Sequence, residues 1–104
     1  MKNKLRAQIL SEFKTPLPLV RADAITALFQ YDNGEVLEKR TIDIVDVQRG
    51  IIEIELTDFE IQGLPLGHEQ NFKCEIFMDG YIWTVLFAKG LNVGVDEKGR
   101  KLLI

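Results

Sequence analysis

An all-β fold, an antiparallel β-sandwich of about 7–8 strands, is what this sequence predicts, and three observations predict it. First, Ile52, Ile54 and Leu56 alternate with Glu53 and Glu55, the period-2 pattern of a strand with one face buried. Second, Phe72, Cys74, Ile76 and Met78 alternate with Lys73, Glu75 and Phe77. Asp79-Gly80 then turns the chain into the apolar run Tyr81 to Phe87, which together read as a hairpin. Third, Gly-bearing turns separate short segments of this kind along the whole chain. With 104 residues, 46% hydrophobic and 28% charged, the sequence supports a single domain, 1–104, and one core.

The elements follow in order. Residues 4–13 fit two templates: Leu5, Ala7 and Ile9 alternate as in a strand, while Leu5, Ile9 and Phe13 repeat at helical spacing. Thr15-Pro16-Leu17-Pro18 ends either one, because proline removes a donor and holds its predecessor extended. Ile25, Ala27, Phe29 and Tyr31 share one face of the next strand, and Asp32-Asn33-Gly34 closes it with a tight turn. Ile42 and Ile44 share a face of a strand that Gln48-Arg49-Gly50 turns into Ile51–Leu56. A helical turn is expected near 58–62, with Asp58 placed to cap it, before the corner Gly63-Leu64-Pro65-Leu66-Gly67. After the 72–87 hairpin, Leu91–Val95 and Lys101–Ile104 flank Asp96-Glu97-Lys98-Gly99 as a last hairpin.

Charge is distributed unevenly. The segment 1–21 carries Lys2, Lys4, Arg6, Lys14 and Arg21 against Glu12 alone, whereas 43–79 carries nine carboxylates against Arg49 and Lys73. Solvated strand faces account for such residues. The sharper expectation is that the basic segment, extended as a docking arm, meets an acidic surface on a neighbouring subunit. A net charge of −3 and the lack of a basic stripe interleaved with aromatics argue against nucleic acid as a partner. No apolar run approaches the ~20 residues of a membrane span, and no signal peptide is visible.

The inventory for chemistry is sparse. His68 is the single histidine, and beside Glu69 alone it lacks the further ligands that zinc takes. Cys74, the single cysteine, cannot form an internal disulfide, which fits a reducing compartment. It falls on the apolar register of its strand as a buried, inert thiol. Ser11 has no histidine nearby in sequence to activate it. Glu53 and Glu55 share one wet face rather than opposing each other across a cleft. The glycines at 63, 67, 90, 94 and 99 never form a phosphate-cradling loop before a helix. No catalytic residue, metal site or cofactor is expected.

The strand Tyr81–Phe87 is apolar on both faces, interrupted only by Thr84. Such a strand is covered on both sides, or covered on one and waiting for a partner on the other. Tyr81, Trp83, Val85 and Phe87 share one face; Ile82, Leu86 and Ala88 on the other form a credible core set. Trp83 then belongs either to the core or to an exposed aromatic platform suited to sugar stacking or to burial against another protein. The candidate interface residues are Lys2, Lys4, Arg6, Tyr81, Trp83 and Phe87.

The run from Leu56 to Val93 resembles small Ig-like β-sandwich modules of tailed-bacteriophage structural proteins, such as the N-terminal domains of baseplate and fibre proteins. In those modules an acidic-tipped strand leads to a threonine, a helical turn and a Leu-Pro-x-Gly corner. A strand, an Asp-Gly hairpin and a return strand ending in Gly-x-x-Val follow. Thr57, Leu64-Pro65-Leu66-Gly67, Asp79-Gly80 and Gly90-Leu91-Asn92-Val93 occupy those places here, and Tyr31 to Val36 resembles their first hairpin turn. One departure is Glu69, where such modules often carry an aromatic; Phe72 follows instead.

The resemblance implies a non-enzymatic component of a virion, such as a capsid decoration, head-fibre base or tail adaptor. Such a component is assembled in the host cytoplasm, and its partners are copies of itself and other virion proteins. At 104 residues a stand-alone component is expected. The alternatives are a carbohydrate- or protein-binding module using the aromatic strand face, and a cytosolic interaction protein.

Overall fold

The computed structural model describes residues 3–104, apart from the side chains of Leu86 and Phe87. Eight strands and one short helix follow one another in the chain. They are β1 (Lys4–Leu10), β2 (Ala22–Gln30), β3 (Val36–Lys39), β4 (Ile42–Asp46), β5 (Ile51–Glu55), α1 (Asp58–Gln62), β6 (Gly67–Met78), β7 (Tyr81–Val95) and β8 (Lys101–Leu103). All the strand pairs are antiparallel. The all-β class, the strand number and the helical turn at 58–62 are therefore as the sequence predicts.

The layers are joined into one sheet. Its order is β3-β2-β6-β7-β1-β5-β4, with β8 paired to the far end of β7, and it is nearly closed on itself. Buried side chains of β2 and β6 (Ile25, Ala27, Phe29, Phe72, Cys74, Ile76) meet those of β1 and β5 (Leu5, Ala7, Ile9, Ile52, Ile54) in one apolar cluster. Phe29 and Phe72 stack at its heart, with ring centroids 4.5 Å apart. No polar or charged side chain is fully buried among the described residues.

The ambiguity over 4–13 resolves to a strand at 4–10. Leu5, Ala7 and Ile9 point inward, and β1 is hydrogen-bonded to β5 on one side and β7 on the other. Lys4–Leu10 is thus an interior strand of the sheet, and the picture of 1–21 as a detached docking arm does not hold over those residues. The helical spacing of Leu5, Ile9 and Phe13 carries no weight, because Phe13 is exposed in the turn that follows.

The helix is capped one residue earlier than expected. Thr57, not Asp58, is the N-cap: its Oγ1 accepts from the Glu60 N–H at 3.2 Å, and Glu60 Oε1 accepts from the Thr57 N–H at 2.8 Å. Side chains fix the helix to its surroundings. Lys39 Nζ donates to Glu60 Oε1 at 2.9 Å. Gln62 grips the backbone of Lys101, donating to its carbonyl at 2.8 Å and accepting from its N–H at 3.0 Å. Lys101 Nζ in turn donates to Asp32 Oδ2 and the Leu64 carbonyl, both at 2.6 Å, tying the β2–β3 turn, the Pro65 corner and β8 together.

The two segments read as 81–87 and 91–95 are one 15-residue strand. It continues because it bends at Gly90, whose φ of +135° brings the backbone against β1. A Cβ at that position would lie 2.4 Å from the Arg6 carbonyl oxygen, so only glycine fits.

Candidate functional site

The β6–β7 hairpin carries the start of β7 past the end of its neighbour β1. Asp79 (φ 55°) and Gly80 (φ 80°) form its turn, the left-handed pair that a two-residue hairpin requires. Met78 pairs with Tyr81, Phe77 with Ile82, Ile76 with Trp83 and Glu75 with Thr84. On the β6 side, β2 supports the arm as far as the Ala22–Met78 pair. On the β7 side, β1 pairs only with Phe87, Ala88 and Lys89, because the chain turns away after Leu10. Among the described residues, no strand pairs with that edge of β7 from Tyr81 to Leu86.

Side chains on both faces of the arm therefore run out of cover. Tyr81 is 70% exposed, Ile82 67%, Trp83 51% and Phe77 43%. The indole is held in place: Trp83 Nε1 donates to the Met78 carbonyl at 3.2 Å, leaving half of the ring in solvent. Trp83 is thus on the exposed platform rather than in the core.

The expected core set on the other face is corrected. Phe72 pairs with Ala88 and Cys74 with Val85, so a bulge adds a residue to β7 between those pairs and breaks the alternation. Val85 and Ala88 are both buried, although strict alternation assigns them to opposite faces, while Ile82 lies outside.

The sequence-predicted interface residues fall in two places. Tyr81 and Trp83 come together on the arm. Lys4 and Arg6 lie on the outer side of β1, which runs antiparallel to β7. That register sets Lys4 about a dozen residues along the sheet from Tyr81, roughly 40 Å at ~3.3 Å per residue. Both cations face an acid of their own chain: Glu53 lies 3.8 Å from Lys4 Nζ and 3.3 Å from Arg6 Nη2. Arg21 likewise lies 3.5 Å from Asp79. Lys2 and the Phe87 side chain lie outside the described residues.

Sequence reasoning missed Ile82 and Phe77 as members of this surface. Phe77 carried a visible signal, a phenylalanine on the face that Lys73 and Glu75 otherwise make polar. Ile82 carried none, since its exposure depends on where β1 ends.

The remaining groups with chemical potential are separately accounted for. Cys74 is buried in the core, which pushes its thiol up to about 12. His68 is exposed at the start of β6. No cluster of three or more metal-ligating side chains is present among the described residues. A cleft of about 330 Å³ lies between the β2–β3 turn and α1, lined by Tyr31, Asn33, Glu35 and Phe59. The nearby Asp32 carboxylate and Gln62 amide are engaged by Lys101. No described helix is long and apolar enough to cross a membrane.

No family model, no curated protein and no solved structure matches the chain. The fold and the site together define a small antiparallel β protein whose most distinctive surface is the uncharged, aromatic start of β7, Tyr81–Val85, on its hairpin arm.

Proposed function

We propose that this chain is a non-enzymatic structural component of a bacteriophage particle, a capsid decoration, head-fibre base or tail adaptor. It works by docking to copies of itself and to neighbouring virion proteins. The observation that carries the docking role is the arm. Tyr81 and Trp83 on one face, and Phe77 and Ile82 on the other, expose apolar surface around the same strand, and such exposed apolar surface marks an interaction site. Aromatic side chains held by a rigid strand are the usual anchors of such interfaces. The particle setting rests on the resemblance of Leu56–Val93 to phage modules.

A second reading is favoured by one specific observation. Tyr81 and Trp83 share a face and are both exposed, as in a platform for stacking sugars. One pair of measurements separates the two. Ordered multimers of the purified full-length chain, or its stoichiometric recovery in purified particles, with both reduced at least tenfold by Trp83→Ala, support the structural role. A chain that stays monomeric at every concentration, binds a glycan array and loses that binding in Trp83→Ala overturns it.

A further inference from the structure

We infer that two copies of this chain join edge to edge through residues 80–86, pairing antiparallel about a two-fold axis at Trp83 so that one sheet runs through both. The inference rests on the docking role proposed for the arm and names its occupant. A strand edge with no partner presents a row of N–H and C=O groups that another strand can complete, and proteins ordinarily guard such edges with charge, bulges or short length.

The two terminal strands of this sheet are guarded. β3 is four residues long and carries Glu38 and Lys39; β4 carries Asp43 and Asp46 and has a bulge between Ile44 and Asp46. The open edge of β7 has neither charge nor bulge from Tyr81 to Val85.

Three features point to a second copy rather than to a foreign strand. The chain has no charged residue from Gly80 to Ala88, so two identical edges meet without like-charge repulsion. The open stretch runs from the Gly80 turn to Leu86, where β1 takes over at Phe87, and its midpoint is Trp83. A register centred there uses the whole edge. It sets Trp83 opposite its own copy, Ile82 opposite Thr84 and Tyr81 opposite Val85, keeping each face of the sheet continuous across the axis. The side chains also suit self-pairing: across the axis Trp83 lies beside its own copy and Tyr81 beside Val85, so exposed aromatic surface along the edge is partly covered when two copies join.

The test combines sedimentation of the full-length chain with residue-resolved hydrogen exchange over a concentration series, on wild type and Ile82→Lys. Ile82 is exposed, so lysine is accommodated in the monomer but brings two like charges close to the axis of the pair. The expected result is a wild-type dimer in which alternate amides of 81–86 gain at least tenfold protection as concentration rises. Emission from Trp83, the single tryptophan, shifts to the blue in parallel. Ile82→Lys remains monomeric, with the wild-type exchange pattern elsewhere. A dimer without added protection at 81–86 overturns edge pairing while retaining self-association. A chain that stays monomeric overturns the inference altogether, while its recovery in purified particles would still uphold the docking role.

Discussion

Glu60 is pulled in opposite directions by its surroundings. Burial alone would raise its pKa, but hydrogen bonds from Thr57 and Lys39, together with the Lys39 charge, outweigh it and hold the carboxyl below its ordinary 4.5. A carboxylate with a depressed folded-state value stabilises the protein fully above the unfolded value, and that contribution is lost as pH falls through the folded one. Glu60→Gln keeps an oxygen for the Thr57 N–H and removes the charge. It should therefore cost about 1 kcal/mol at neutral pH, with the difference from wild type shrinking as pH drops below 4.5 in urea titrations. Arg6 and Glu53 make the contrast at the same scale. The Arg6 side chain is largely exposed, so Arg6→Ala should change stability by less than about 0.5 kcal/mol in the same assay.

At the scale of elements, β7 shows how one strand does three jobs. It closes the arm with β6, pairs with β1 in the middle of the sheet and receives β8 at its end. Gly90 makes this possible. Gly90→Ala forces an L residue to φ +135° and drives its Cβ into the Arg6 carbonyl, so we expect a loss above about 2 kcal/mol. Gly80→Ala is the control, since φ is +80° there but the space around it is open. It should cost only about 1 kcal/mol in matched denaturant unfolding. Equal losses for the two variants would mean that the close approach to β1 contributes nothing. The uneven charge along the chain is also explained at this scale. Antiparallel pairing lays Lys4 against Glu55 and Arg6 against Glu53, so part of the basic segment and part of the acidic middle are cross-strand neighbours. Opposed blocks in sequence there become local neutrality in the fold.

For the molecule as a whole, a single core joins nearly every strand, and Cys74 sits inside it as a native reporter. A thiol raised to about 12 stays neutral in the folded state while the unfolded chain ionises near 9.0, so the stability it lends is complete below 9.0 and disappears towards 12. Replacing it by Cys74→Ala should flatten the decline in unfolding free energy over that alkaline window, whatever the variant's absolute stability. Core continuity makes a second expectation. Phe29→Ala removes one ring of the central stack and should cost about 3–5 kcal/mol, lowering the midpoint of all strands together in a thermal melt followed by far-UV circular dichroism. Separate melting of the arm and the body would contradict a single cooperative core.

Much of the fold could be read from residues alone because its signals are local. Alternation places β2, β5 and β6, Asn-Gly and Asp-Gly place turns, and Thr57 with Glu60 spells a capping box one residue ahead of the expected cap at Asp58. Cys74 and Phe72 were legible as core for the same reason.

What alternation could not settle was cover. Strand 81–87 is apolar on both faces whether it has a strand on each side or runs past the end of one neighbour. The answer depends on β1 stopping at Leu10 and on the bulge between Val85 and Ala88. Both are facts about partners distant in sequence. Antiparallel strands around one apolar core follow from local alternation, since a residue's side of a regular strand is set by its immediate neighbours. The solvent exposure of Tyr81, Ile82 and Trp83 comes from long-range packing, because exposure is a property of what the rest of the chain leaves uncovered.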